Sequence, residues 1–197
     1  MTVYEKIIEF VDTGSEKTVA IVGSSTGAMP LFVAPLVGRV VGVDLSEQSI
    51  AFAERRTGQL GVTNIEYTKG DAESLPFDAD SVDIVLTDCV INLTPQKQTA
   101  IDEIFKILKP GGCLVMADPV RKGEIENLAA NEPVAGCIAG TVTLEDYSRM
   151  LKRSGFENLK TTDVTGLARN VWPDHREKFD KYGLDYLIIK AIKPSNS

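Results

Sequence analysis

Three sets of residues stand where they could do chemistry. The run Ile21-Val22-Gly23-Ser24-Ser25-Thr26-Gly27 closes an apolar stretch with a glycine turn, and Asp44 ends the next apolar stretch at Leu45. A glycine turn lets backbone approach a ligand, and an acid about 20 residues further on accepts hydrogen bonds from ribose hydroxyls, so the spacing points to a nucleoside site. The turn alone is less specific, because tight strand-to-helix turns need glycine without any ligand. Gly70-Asp71-Ala72 follows a third apolar stretch; Asp71 could serve a ligand or cap a helix. Cys89, Cys113 and Cys137 complete the inventory. Their odd number and the lack of a CxxC pair support neither a disulfide framework nor a zinc site, and an arbitrary free cysteine is most often a small buried apolar residue.

Those residues need a scaffold of alternating elements. After a short helix near residues 3 to 11, β-type runs at Thr18–Gly23, Arg39–Asp44, Asn64–Lys69, Val82–Thr87 and Gly112–Asp118 alternate with amphipathic segments. This is the pattern of a doubly wound α/β fold, a mostly parallel sheet buried under helices on both faces. Ser46 is placed to cap a helix reaching about Leu60, and Thr94 with Pro95 to start one that Lys109-Pro110-Gly111 stops. Thr143 with Asp146 forms a capping-box pattern for a helix ending at Gly155. Two last runs, Asn158–Val164 and Tyr186–Ile192, have no clear crossover helix between them, so the last strand is expected to run antiparallel. Cys113 begins the fifth strand, about 16 Å from that strand's C-terminal end at ~3.3 Å per residue, and so belongs to the other edge. Trp172 and His175 lie in the late connection, where such residues most often pack or face solvent.

Composition narrows the function. The chain has 197 residues, a length for one domain spanning 1–197, with no internal repeat. A formal charge of −7 and a pI near 4.8, with no basic run, argue against nucleic acid as a partner. No apolar stretch approaches the ~20 residues needed to span a bilayer, and the N-terminus lacks the layout of a secretion signal, so a cytoplasmic location without membrane partners is expected. Gly-Ser-Ser-Thr-Gly-Ala puts Ser25 and Ala28 where the dinucleotide fingerprint needs glycine, and Tyr147 has Leu151 rather than lysine four residues on. Both features disfavour hydride transfer.

The four ordered segments IVGSSTG at 21–27, VVGVDLS at 40–46, GDAESLPF at 70–77 and ILKPGG at 107–112 resemble the motifs of class I S-adenosylmethionine-dependent methyltransferases over about Thr18 to Phe156. The resemblance implies a Rossmann-like sheet and S-adenosylmethionine as cofactor. It implies cofactor contacts from Gly23, Ser25, Gly27, Asp44, Leu45, Asp71, Ala72 and Asp88, with Asp44 on the ribose and Asp71 on the adenine amino group. Two departures mark this chain: Ile21 stands where the family carries an acid that meets the methionine amino group, and Ser25 replaces its middle glycine.

Within that class, DCVINLTPQK at 88–97 lacks the Asn/Asp-Pro-Pro-aromatic motif used on amino groups of bases and resembles arsenite methyltransferases, as does AGCIAGTVTLEDYSRMLKRSGF at 135–156. The resemblance implies that Cys89 and Cys137 hold the acceptor. Trivalent arsenic is soft and thiophilic, which suits thiolate ligands. The reading is therefore methyl transfer to a small soft acceptor, trivalent arsenic foremost. A non-catalytic nucleoside- or metalloid-binding domain of the same fold, and a methyltransferase for another small metabolite or thiol, stay open as alternatives.

Overall fold

Continuous valine and isoleucine in the strand runs demand burial on both faces, and the computed structural model provides it. It describes residues 2–123, 136–171 and 176–195. The elements in chain order are α1 (Val3–Ile8), β1 (Thr18–Val22), α2 (Ala28–Val33), β2 (Arg39–Asp44), α3 (Glu47–Gln59), β3 (Ile65–Lys69), β4 (Val82–Asp88), α4 (Lys97–Ile107), β5 (Leu108–Arg121), α5 (Gly136–Ala139), α6 (Leu144–Ser154), β6 (Glu157–Asp163), α7 (Thr165–Val171), α8 (Arg176–Lys181) and β7 (Leu184–Ile192). The seven strands form one sheet in the order β3-β2-β1-β4-β5-β7-β6. β1 to β5 pair parallel, while β7 runs antiparallel to both β5 and β6. This is the doubly wound, Rossmann-like sheet with an antiparallel last strand that the sequence implies.

Alternate residues of each strand feed opposite cores, as a period of two requires. Ile21, Leu86, Val115, Ala117 and Ile188 face a core with α1, α2 and α8. Ala20, Val85, Leu114, Met116 and Ile189 face the other, with α4 and α6. Among the described residues, no helix is long and apolar enough to cross a membrane.

Local signals mostly act as read. The Ser46 hydroxyl accepts from the Ser49 amide at 3.2 Å, Thr143 and Asp146 form the capping box, and Gly155 ends α6 at φ 100°. Three elements differ from the sequence reading. Thr94 does not cap α4: its hydroxyl donates to the Val90 carbonyl at 3.0 Å, closing the 3-10 turn at Ile91–Leu93, and α4 starts after Gln96. β5 begins at Leu108 rather than Gly112, because Leu108 already pairs with Val82 across a register irregularity. The β6–β7 connection carries α7 and α8, short helices whose periodicity is too brief to read.

A buried polar cluster joins the loop after β4 to the second core. Tyr147 of α6 donates to Asn92 Oδ1 at 2.8 Å, and Asn92 Nδ2 donates to the Pro119 carbonyl at 2.7 Å. Lys97 Nζ donates to the Asn92 and Thr94 carbonyls at 3.1 and 3.0 Å. A Cβ on Gly140 would fall 1.8 Å from the Asn92 carbonyl oxygen, so the chain just after α5 lies directly on this hub. Tyr147→Phe leaves a buried amide oxygen without its donor and is expected to cost about 1–3 kcal/mol, read as a lower urea midpoint. An unchanged midpoint would mean that the tyrosine hydroxyl carries none of the loop's stability.

Candidate functional site

The parallel strands all end on one edge, and the loops there assemble the site. The amides of Gly23 and Ser24 both donate to the Val43 carbonyl, at 2.8 and 2.9 Å, which folds the turn after β1 toward β2. The Ser25 amide then donates to Asp44 Oδ2 at 2.8 Å and the Ser46 amide to Oδ1 at 2.9 Å. Each carboxylate oxygen keeps a further acceptor position, since an ionised carboxylate has about four lone-pair sites. Gly23 takes φ 77° and Ser25 φ 49°, both left-handed; serine there stores strain that glycine would not. Gly27, at φ 83°, precedes α2, and a Cβ on it would come within 2.6 Å of the Tyr67 hydroxyl and 3.0 Å of the Ala53 Cβ. Its glycine therefore serves helix packing.

Next to Asp44, Leu45 is 63% exposed, an apolar surface at the strand end. The Gly70 amide donates to the Asp44 carbonyl at 3.1 Å, bringing the turn after β3 alongside. There Asp71 is exposed and accepts from the Glu73 amide at 2.9 Å, a local turn rather than a helix cap, while Ala72 is buried.

A cavity of about 340 Å³ opens beside the turn after β1, lined by Gly23, Ser24, Ser25 and Thr26 on one side and by Asp88, Cys89 and Tyr186 on another, with Tyr4, Met29, Pro119, Ile138 and Phe179 among its walls. Ser24 is buried, and its hydroxyl has no hydrogen-bond partner among the described residues. Cys89 takes φ 57°, a strained backbone for a residue with a side chain, held by its amide donating to Ala117 at 2.9 Å.

Tyr186 was not singled out by sequence. It is 1% exposed, its hydroxyl donates to Asp88 Oδ1, and Cys89 Sγ lies 3.2 Å from that tyrosine hydroxyl oxygen. Since the tyrosine has one proton and an ionised carboxylate accepts only, the thiol donates to the tyrosine oxygen. The result is a chain from thiol to phenol to carboxyl. Burial pushes Asp88 up to about 6, against which the Tyr186 hydrogen bond works. Burial, followed by the charge of Asp88, also drives Tyr186 well above its ordinary value.

The structure thus brings Gly23, Ser25, Asp88 and Cys89 to one cavity, joins Asp44 to them through Ser25, and sets Leu45, Asp71 and Ala72 alongside. Cys113 lies at the opposite edge, buried and paired with Ile84 and Ile192, where the sequence places it. Cys137 belongs to α5, and the next residue, Ile138, lines the cavity; the Cys137 side chain falls outside the described residues, as do Trp172 and His175.

A parallel sheet whose order turns at β1/β4, with a glycine turn and a strand-end acid at that point, defines a nucleoside-binding α/β class. Residues 15–155 match the methyltransferase domain family, and the chain belongs to it. An arsenite methyltransferase of Halobacterium salinarum is 33% identical over 146 residues, which cover 72% of this chain and 37% of that protein. The chain spans between 37% and 42% of the length of the arsenite methyltransferases it matches. Among solved structures, phosphoethanolamine N-methyltransferase 2 of Haemonchus contortus with S-adenosyl-L-methionine superposes with a TM-score of 0.84 at 19% identity, over 98% of this chain and 52% of that one. The [4+2]-cyclase SpnF does so with a TM-score of 0.81 at 22% identity, over 98% and 81%. At such identities these two likenesses speak for the fold alone.

Asp88 supplies a pH prediction. With 3.8 as its ordinary value and about 6 in the fold, the folded protein holds more proton than the unfolded chain between those values. Stability therefore falls as pH rises through that window and levels off above it, with Asp88 costing up to about 3 kcal/mol at neutral pH. Asp88→Asn, which keeps an acceptor for Tyr186, is expected to be more stable than the parent at pH 8, with the gain shrinking toward pH 4 in urea titrations. A variant less stable at pH 8 would contradict this account of the carboxyl.

Proposed function

We propose that the chain is an S-adenosylmethionine-dependent methyltransferase domain acting on a small soft acceptor, with trivalent arsenic held by Cys89 and Cys137. The observation that carries the reading is the shared cavity: the turn joined to Asp44 and the Cys89 thiol line the same walls. The residues present fit the cofactor. Asp44 keeps acceptor positions for ribose hydroxyls, Leu45 offers an apolar surface beside it, Asp71 stands within the neighbouring turn, and the Ser24 hydroxyl supplies a buried polar group. When bound, the cofactor supplies an electrophilic methyl group.

The chain's own work is to bind, orient and exclude water. Cys89 and Cys137 would hold the metalloid with its lone pair toward the cofactor end of the cavity, and softness favours that pairing over oxygen ligands. Ile138, the residue after Cys137 in α5, lines the same cavity as Cys89. Met29, Pro119, Ile138 and Phe179 keep the wall apolar, and holding two reactants in register there supplies most of the rate that positioning can give. Arsenic, with its own lone pair, needs no general base. As the Cys89 sulfur bonds to the acceptor in place of a hydroxide, that hydroxide and the thiol proton leave together as water, and Tyr186 and Asp88 form the path open to the proton. The aromatic walls contributed by Tyr4 and Phe179 favour, as a second reading, a small organic acceptor.

Titration calorimetry of the purified protein tests the cofactor reading. S-adenosylmethionine and its demethylated product are expected to bind at micromolar level, and Asp44→Ala to weaken both by about tenfold or more. No heat at millimolar ligand would move the search to other ligands. For the acceptor, arsenite is expected to protect Cys89 and Cys137 together from alkylation, read by peptide mass. Equal labelling of both thiols at saturating arsenite would remove the metalloid and leave the organic acceptor.

A further inference from the structure

Both cysteine-bearing turns hang from the end of one strand. The Cys89 amide donates to the Ala117 carbonyl of β5 at 2.9 Å, and Asn92 donates through Nδ2 to the Pro119 carbonyl at 2.7 Å. Beyond α5, the Arg121 amide of β5 donates to the Val142 carbonyl at 3.1 Å. Thr141 fastens the turn between: its amide and hydroxyl donate to the Ile138 carbonyl at 3.2 and 2.9 Å. The two turns then meet directly. A Cβ on Gly140 would lie 1.8 Å from the Asn92 carbonyl oxygen, 2.9 Å from the carbonyl carbon and 3.3 Å from Lys97 Nζ, which donates to that same oxygen. Gly140 does not take a left-handed φ, so close approach rather than backbone conformation calls for glycine there. The obstruction is backbone, which cannot rotate away as the end of a long side chain can. A larger residue would have to part the turns by about 1 Å or more to reach an ordinary van der Waals distance.

The two turns are also in step. Cys89 precedes Asn92 by three residues and Cys137 precedes Gly140 by three, so one contact fixes the spacing of the two backbones about one helical turn past each cysteine. Asn92 cannot retreat from it, because the fully buried Tyr147 of α6 holds its Oδ1. We infer that Gly140, pressed on the Asn92 carbonyl, is a positioning residue that sets the separation of Cys89 and Cys137 and so commits the site to an acceptor small enough for two sulfurs to hold at once. The inference rests on the acceptor reading above, in which both thiols bind. Neither Asn92 nor Gly140 lines the cavity, so both act through the cysteines their turns carry. A misplacement of about 1 Å can cost about a hundredfold in a reaction between positioned groups, and that is the displacement a side chain at Gly140 would introduce.

The test measures the separation itself, on the whole protein. Bis-methanethiosulfonates of increasing spacer length bridge two thiols, each end forming a disulfide and releasing methanesulfinate. In the parent protein one short reagent is expected to join Cys89 to Cys137 about tenfold faster than the longer ones, read by peptide mass. In Gly140→Ala the preferred spacer is expected to lengthen. Arsenite, which releases one water for each sulfur it binds, is expected to bind that variant about 10- to 100-fold more weakly. Alkylation of each thiol singly, and the affinity for S-adenosylhomocysteine, are expected to stay within about twofold of the parent values. A general loosening of the fold would move those two readouts as well, and would blur the spacer preference rather than shift it; that pattern overturns the inference. A parent protein that couples equally through every spacer overturns it without any variant, and so covers a Gly140→Ala that fails to fold. Unchanged spacer preference and arsenite affinity in Gly140→Ala overturn the inference while the acceptor reading stands. If the parent protein binds no arsenite, the acceptor reading itself fails and this inference goes with it.

Discussion

The antiparallel pairing of β7 along β5, from Cys113 with Ile192 to Arg121 with Leu184, is the constraint on which the cavity depends. Parallel strands all deliver their C-terminal ends to one edge, so a sheet made only of them would furnish the site from loops. Reversing β7 turns its N-terminal end to that same edge. Tyr186 thereby enters the site from a rigid strand, opposite Pro119, and reaches Asp88 and Cys89 from nearly a hundred residues away in sequence. A side chain fixed by a ladder on both sides holds its direction better than one on a loop, and the hydroxyl needs that precision to meet a carboxyl and a thiol at once.

Holding polar groups in this edge is costly, and the structure meets the cost in two ways. Backbone amides take up part of the Asp44 charge, a half-buried position where water still helps. Asp88 has less help: its carboxyl accepts from the Tyr186 hydroxyl at the cavity wall, and burial governs it. The left-handed backbone at Ser25 and Cys89 adds strain at the same edge. Such strain persists only where the surroundings over-determine it. Here they do: the Gly23 and Ser24 amides are tied to Val43, the Cys89 amide to Ala117, and Asn92 anchors the following turn to β5 and α6.

Much of this was legible in the sequence, and what was not has a physical reason. Strand runs rich in valine and isoleucine announced burial on both faces, and Ser46, Thr143 and Gly155 acted as caps because cap chemistry is local. Asp44 and the glycine turn were readable because both sit at strand ends, where spacing along the chain maps onto distance across the sheet. Thr94 failed as a cap because a competing local acceptor, the Val90 carbonyl, took its hydroxyl. α7 was missed although its start carries a signal, Asp163 Oδ1 accepting from the Thr165 amide at 2.8 Å. Tyr186 is the instructive omission. The sequence already placed it first in a strand expected to run antiparallel, which puts it at the ligand edge; only its partners, set by tertiary pairing, were beyond reach.

The strand order explains how one edge can serve two kinds of chemistry. It turns between β1 and β4, and the cavity lies at that turning point, between the loop after β1 and the loop after β4. On one side, β1, β2 and β3 offer a solvated rim: Asp44 half-buried, Leu45 and Asp71 exposed. A rim of that kind suits a polar nucleoside, whose hydroxyls and ring exchange water for protein at little net cost. On the other side, β4, β5 and β7 build a drier wall in which Tyr186 is fully buried and Cys89 partly so. Charge acts more strongly there, because less water screens it. Substitutions on the rim should therefore act through the solvated half of the site, and those in the wall through its drier half. The two sets should add nearly independently wherever no hydrogen bond joins them. The link that does join them is the turn itself, where the Ser25 amide meets Asp44 while the neighbouring Ser24 faces the cavity. Strain introduced at that turn would pass to both halves at once, which makes Gly23 to Ser25 the segment on which the rim and the wall both depend.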